Sequence, residues 1–251
     1  YYEIWGDYFI SGTRPTGEQQ ADAVWMTENA DWVVADSSYI ESVARKYTDK
    51  VSWVPDNVNL DIYKLKRRHQ KVDTVTLIWS GVSKKANHLL LIKDVLKELA
   101  TEKIKLLMVS DEKPTVIEEL KNIVHCEYEH FRSDFAYSKL LSKSDIIISP
   151  KILCNGYELG HTEYKITLGM SAGLPVVASP QQSYIEAISY KEGGIIAHND
   201  ADWYNALSSL INDENIRKDM GERACETVHA HYTTDVVALK YMQLMEKVLE
   251  I

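Results

Sequence analysis

The pattern of apolar and polar positions is most telling between Asp145 and Ser179, in the run DIIISPKILCNGYELGHTEYKITLGMSAGLPVVAS. A β-branched triplet, Ile146-Ile147-Ile148, stops at Ser149-Pro150, and a second apolar run, Pro175-Val176-Val177-Ala178, closes the stretch. Between them lies a loop holding Gly156 and Gly160, then a helical period from Glu163 to Ala172. Two short buried-strand patterns joined by a loop and a helix predict a parallel βαβ unit. Such a crossover puts the loop after the first strand at the carboxyl edge of the sheet, where open α/β sheets bind ligands. The same loop, Gly156 to Thr162, leads into a helix N-terminus, whose unpaired N–H groups and dipole favour an anion. Lys165 falls in the first turn of that helix. The stretch therefore reads as a place for a phosphate.

The same two periods organise the rest of the chain. Ahead of this unit, strands are predicted at Tyr2–Trp5, Asp31–Ala35 and Val51–Val54. Helices are predicted at Glu18–Ala30 and from Ser37 or Ser38 to Tyr47. That set is too small to be a stable domain by itself. From Pro55 to Val72 no period holds, and the segment carries Lys64, Lys66, Arg67, Arg68 and Lys71. It reads as a solvated interdomain linker, with contact to a membrane surface or an anionic ligand as the other reading.

Beyond it, strands at Thr74–Trp79, Lys105–Val109 and Val124–Tyr128 lead into the central unit, and a last one follows at Gly194–Ala197. They alternate with helices at Asn87–Ala100, Thr115–Asn122, Phe135–Ser142 and Ser183–Tyr190. Strict alternation predicts a doubly wound, Rossmann-like parallel α/β sheet. Helices at Ala201–Ile211, Glu214–Ala230 and Thr234–Glu250 finish the chain.

Composition narrows the function. With 251 residues, 45% hydrophobic and 26% charged, the chain can build a sizeable core. A net charge of −9 argues against a general nucleic-acid binder. Three cysteines, Cys126, Cys154 and Cys225, form neither a disulfide framework nor a zinc pattern, and are expected as reduced thiols in a cytoplasmic protein. No apolar run approaches the roughly 18 residues of a membrane span, and the start has no signal-peptide pattern. The opening Tyr1-Tyr2-Glu3-Ile4-Trp5 reads as a strand already under way, so the sequence is expected to be the later part of something longer. His229 and His231 have no third ligand in view, so no metal site is expected. Trp5, Trp32, Trp53 and Trp79 lie in strand patterns and are expected in the core.

Several segments, in order, resemble the retaining GT-B glycosyltransferases of the "glycosyl transferases group 1" family. These are Ala30-Asp31-Trp32-Val33-Val34-Ala35-Asp36-Ser37, the hinge-like Val51–Leu60, and Leu77-Ile78-Trp79-Ser80-Gly81. Met170–Ser179 (MSAGLPVVAS), Glu186 and Asp213–Ala224 (DENIRKDMGERA) follow. The resemblance implies a GT-B type fold. Residues 1–55 would be the tail of an acceptor-binding Rossmann-like domain and 56–72 a hinge. Residues 73–232 would be the donor nucleotide-sugar domain, and 233–251 a helix crossing back to the first domain.

It implies a retaining transfer of a hexose from a UDP- or GDP-linked sugar to a glycan or lipid-linked acceptor in polysaccharide biosynthesis. No metal or other cofactor is expected. Peripheral contact with the inner face of the membrane, and a second chain or a missing N-terminal domain as partner, stay open. Two alternatives stand beside it: a non-catalytic or partner-dependent subunit, and a nucleotide-sugar epimerase of the same fold.

Loss of a nucleotide diphosphate builds negative charge on the leaving group, so the site needs positive groups and N–H donors already in place. The resemblance puts Lys165 there, with Lys84 or Lys85 after the Gly81 turn. His161 is a candidate for a sugar hydroxyl, and Lys165, Lys85 and His161 are the catalytic candidates. Gly160, Thr162, Glu163 and Tyr164 would line the donor, while Phe131 and Arg132 would stack on the base. The chain also departs from the family pattern. The positions of its paired glutamates fall on Gly160 and Leu168, and that of its arginine after the glycine turn falls on Val82. Glu163 is the nearest acidic substitute for the ribose contact.

Overall fold

A computed structural model of the chain describes residues 15–64, 66, 72–100 and 103–249. The predicted strand at Tyr2–Trp5, Arg67, Arg68 and Lys71 lie outside these residues, as does Glu250 at the end of the last predicted helix.

The elements run α1 (Gly17–Asn29), β1 (Val33–Ala35), α2 (Ser38–Ala44), β2 (Val51–Trp53) and β3 (Val75–Ser80). A 3₁₀ segment (Ser83–Ile92), α3 (Lys93–Leu99), β4 (Ile104–Ser110), α4 (Ile117–Leu120), β5 (His125–His130) and α5 (Asp134–Leu141) follow. Then come β6 (Ile146–Ser149), α6 (Gly156–Leu159), α7 (Tyr164–Ser171), β7 (Val176–Ala178) and α8 (Gln182–Ser189). The chain ends with β8 (Gly194–Ile196), α9 (Asp200–Asn212), α10 (Glu214–His231) and α11 (Thr234–Leu249).

Six strands form one parallel sheet in the order β5-β4-β3-β6-β7-β8. The chain winds outward from β3 in one direction, returns, and winds outward from β6 in the other. The crevice between the carboxyl ends of β3 and β6 is therefore the topological switch point of the sheet. Side chains along the strands alternate between two cores, as the strand period of two requires. Leu77, Trp79, Ile146 and Ile148 face a core shared with the 3₁₀ segment, α3, α4 and α9. Ile78 and Ile147 face the other, shared with α5, α7, α8 and α10. Each fully buried aliphatic chain contributes about 1.5–3 kcal/mol.

Three local outcomes differ from the pattern reading. The helix expected from Asn87 is first a 3₁₀ segment, because Ala86, Leu89 and Ile92 recur every third residue and all three are fully buried. The loop after β6 contains a turn of helix, α6, whose N-terminus Asn155 caps by accepting the Glu158 amide at 2.9 Å. The segment after Pro55, expected as a solvated linker, buries Val58 and Tyr63 in the second core. There the Val58 amide donates to Tyr232 O at 2.7 Å, and Lys66 donates to the Ser171 carbonyl.

The short first unit pairs β1 with β2 in parallel and seats α2 on them. The last helix reaches it, since Lys247 Nζ lies 4.4 Å from the centre of the Trp32 ring. Among the described residues no helix is long and apolar enough to cross a membrane.

Candidate functional site

The crevice at the switch point is a cleft of about 280 Å³ lined by Trp79, Lys85, Lys151, Tyr157, Lys165 and Tyr184, among others. Each side chain arrives from a different element, and each for a local reason. β3 ends at Ser80, and Gly81 turns the chain over the Trp79 ring, where an added Cβ would sit 3.1 Å from the indole. The 3₁₀ segment that follows delivers Lys85. β6 ends at Ser149-Pro150 and delivers Lys151, whose backbone N–H donates to Ser179 Oγ at 2.8 Å. Helix α7 begins after Glu163 and delivers Lys165.

Lys165 is half-buried. Its Nζ donates to Ser80 O at 3.2 Å and lies 5.6 Å from the Trp79 ring centre. Burial, then the charge of Lys85, push its pKa down to about 8. Lys85 donates to Glu158 Oε1 at 3.1 Å and meets His161 Nε2 at 2.7 Å, with its Nζ 4.3 Å from the Tyr157 ring centre. Burial lowers its pKa, against the pull of Glu158. Lys151 is buried against Tyr184, 5.1 Å from the ring centre, and burial followed by the charge of Lys165 holds it well below its ordinary value. His161 is neutral: burial, then Lys151 and Lys85, push its pKa down to about 3. Its ring is held edge-on to Tyr157, with centroids 4.6 Å apart.

Buried Lys151 and half-buried Lys85 and Lys165 thus face one buried carboxylate among the described residues, Glu158, and the cleft carries an excess of positive charge in a low-dielectric wall. Such a site stores unfavourable energy that an anion relieves.

The remaining candidates fall in several places. Thr162 lines the cleft and donates to Asp56 Oδ2 at 2.8 Å, and half-exposed Tyr164 lines it too. Gly160 closes α6 at the wall of an adjoining recess with Asp36 and Asp56. Its carbonyl accepts from Ser37 Oγ at 3.0 Å, and Ile40 fills the space a side chain would need.

Glu163 does not sit on the rim as a helix-end charge. It is fully buried, and neither carboxyl oxygen has a hydrogen-bond partner among the described residues. Burial, with Asp56, Glu186 and Asp36 nearby, pushes its pKa up to about 8, so it is a neutral acid. Lys84 is exposed and outside the cleft, because the turn that aims Lys85 inward aims its neighbour out. Phe131 and Arg132 are exposed after β5 and do not line the cleft. Phe131 pairs with Tyr137, centroids 5.9 Å apart. Leu168 is buried in the second core.

Lys151, Glu158, Tyr157, His88 and Tyr184 complete the surroundings without having been singled out from the sequence. Lys151 had a signal in its position directly after the strand-ending Ser149-Pro150, and Glu158 in its place two residues before Gly160. Trp79, expected in the core, is 1% exposed but forms the cleft wall. Among the described residues no cluster of three His, Cys, Asp or Glu side chains is arranged to hold a metal, and His231 instead stacks on Tyr190 at 3.9 Å. The three cysteines are free thiols.

The family described as "Glycosyl transferases group 1" matches residues 74–213, which hold the whole cleft. No curated protein matches the chain. Among solved structures, sucrose-phosphate synthase from Thermosynechococcus elongatus superposes with a TM-score of 0.76 at 15% identity, covering 96% of this chain and 64% of that one. A glycosyltransferase from Rickettsia africae gives 0.74 at 18%, covering 94% and 68%. HepE of Anabaena, in complex with UDP and glucose, gives 0.71 at 14%, covering 91% and 67%. At these identities the likeness shows the fold, which is of the GT-B type. The chain spans under two thirds of the length of the synthase it matches.

Proposed function

The chain belongs to the glycosyl transferases group 1 family, and from that premise we propose that its cleft holds the diphosphate of a nucleotide sugar. In this reading a hexose passes from the donor, with retention, to a hydroxyl of a glycan or lipid-linked acceptor. The observation that carries it is the convergence of Lys85, Lys151 and Lys165 on the switch point, with Glu158 the one carboxylate beside them among the described residues. Solved neighbours that carry UDP or UDP-glucose in their names are consistent with this choice of ligand.

In the reaction, the bond from the sugar C1 to the distal phosphate oxygen breaks and a bond from C1 to the acceptor oxygen forms. The acceptor proton passes to the departing phosphate. Charge grows on that phosphate, and the lysines, fixed before the reaction, stabilise it without reorganising. The same lysines supply the compensation that a metal ion supplies elsewhere. Neutral His161 offers no charge. Its backbone carbonyl is held by Gln181 and by Ser183 Oγ, the latter at 2.9 Å, which keeps the loop closed around the diphosphate.

Calorimetric titration with UDP, GDP and their glucose and mannose conjugates tests this reading. Saturable binding of one nucleotide series is expected. A folded sample that binds none of them would overturn it.

A second reading, a subunit completed by another polypeptide, is favoured by the apolar surface left open on α1 and α11. Trp25, Met26, Met245 and Leu249 are 63%, 66%, 58% and 65% exposed. Sugar transfer by the isolated chain at a rate unchanged by any added polypeptide would dismiss it.

A further inference from the structure

We propose that Lys151 is a phosphate ligand idle in the empty cleft and engaged by the phosphate distal from the base, next to the sugar. The inference rests on the nucleotide-sugar reading. It starts from an asymmetry among the three lysines. Lys85 already has Glu158 and His161, and Lys165 already has the Ser80 carbonyl. Lys151 is 7% exposed, and among the described residues its Nζ meets neither a hydrogen-bond acceptor nor an ion-pair partner. Its close neighbour is the ring of Tyr184, which is itself held by a hydrogen bond from Ser149 Oγ at 3.1 Å. An ammonium with three donors and no acceptor is an expensive thing to bury. A protein keeps one in a ligand cleft when the ligand brings the acceptors.

Position then assigns the phosphate. Lys165 is tied to the end of β3, which adjoins β4, with β5 beyond it, on the side where the base would lie. Lys151 follows β6 and rests on α8, which follows β7, on the opposite side of the switch point. A diphosphate crossing from β3 to β6 meets Lys165 first and Lys151 second. Counting charge, Lys85 is balanced by Glu158, which leaves two cations. A diphosphate esterified at both ends carries two negative charges.

The test uses Lys151→Met, which keeps the length and loses the charge, with Lys151→Arg as the charge-retaining partner. Exposed Lys143→Met controls for net charge. Each is melted without ligand and titrated with nucleoside diphosphate, nucleoside monophosphate and inorganic pyrophosphate. Lys151→Met is expected to melt at or above the wild-type temperature, since it removes an unpaired buried charge. It is expected to lose at least tenfold in affinity for nucleoside diphosphate and for pyrophosphate, and less than twofold for the monophosphate. Lys151→Arg is expected to recover part of the loss.

Unchanged diphosphate affinity in Lys151→Met, or an equal loss for mono- and diphosphate, would overturn the assignment. So would a lower melting temperature with ligand affinity intact, which marks a purely structural lysine. A wild-type protein that binds pyrophosphate through Lys151 but no nucleotide would overturn the nucleotide-sugar reading and leave Lys151 an anion ligand. Wild-type protein that binds none of the three probes would overturn both.

Discussion

The ammonium of Lys85 and the Nε2 of His161 lie 2.7 Å apart, a contact that fixes the histidine's protons. Lys85 can only donate, so Nε2 accepts and carries no proton. The proton belongs on Nδ1, which donates to the Tyr157 carbonyl at 2.6 Å. The imidazole is thereby locked into one neutral tautomer and cannot serve as a proton donor toward the sugar. Nitrogen-15 correlation spectra of the free protein should show His161 as the Nδ1–H form, with no titration between pH 5 and 8. A midpoint in that window would disprove the arrangement.

Lys165→Ala should weaken nucleoside diphosphate binding at least tenfold, about 1.4 kcal/mol, a modest figure for one charge-assisted phosphate contact. Lys84→Ala, on the exposed side of the same turn as Lys85, should change it less than about twofold. Calorimetric titration of the two variants separates the lysines, and equal losses would show that bulk charge rather than position governs binding.

Lys85→Ala differs from both, because it leaves Glu158 buried and unpaired. Removing one partner of a buried pair costs on the order of 3 kcal/mol. Denaturant unfolding should show that loss, whereas Lys85→Ala combined with Glu158→Gln should recover much of it. A double variant no more stable than the single one would argue that the pair contributes nothing beyond its lysine.

Glu163 gives the protein a pH signature. Its pKa is about 8 in the fold against 4.5 when exposed, so between these values the folded state holds a proton that the unfolded state has released. Stability then falls as pH rises from about 4.5 to about 8 and levels above it, by a few kcal/mol in all. His161 works in the opposite sense from about 3 to 6.5, where the unfolded state binds the proton, and it adds stability as pH rises. The two offset one another near pH 5, and above about 6.5 the Glu163 decline dominates until the lysines with lowered pKa values, Lys165 at about 8 and Lys151, lose their protons and oppose it. Glu163→Gln should flatten the decline between pH 6.5 and 8 in denaturant melts. An unchanged slope would mean that Glu163 is ionised in the fold.

Two glycines test the packing beneath the site. A Cβ at Gly193 would lie 2.5 Å from the Ala224 Cα, so the backbone of α10 would have to move. A Cβ at Gly169 would lie 2.0 Å from Ile147 Cδ1, at the free end of a side chain. Overpacking costs typically about 1–3 kcal/mol. Thermal melts should put Gly193→Ala at the upper end of that range and Gly169→Ala lower, and the reverse order would show α10 to be the softer neighbour.

Much of the fold could be read in the residues themselves. The β-branched runs at 146–148 and 175–178 became β6 and β7, and the six alternating strands became one parallel sheet. This works because strand and helix periods are local properties of the chain, and glycine and proline mark the ends. The place of Lys165 at a helix start facing the carboxyl edge was legible for the same reason. Burial was not, because it depends on what arrives from far along the chain. Glu163 looks like an ordinary charge in a first helical turn until the fold buries it and brings Asp56, Glu186 and Asp36 near it. Lys84 and Lys85 are indistinguishable in sequence until the tight turn over Trp79 sends one outward and the other toward Glu158. Lys151 is one lysine among many until β6 places it opposite β3. By itself the sequence determined the order of elements and the edge where chemistry can occur, since both follow from nearest-neighbour geometry. Only the tertiary structure decided which lysines share a cleft, because desolvation and charge coupling act between groups 14, 66 and 80 residues apart, at positions 85, 151 and 165.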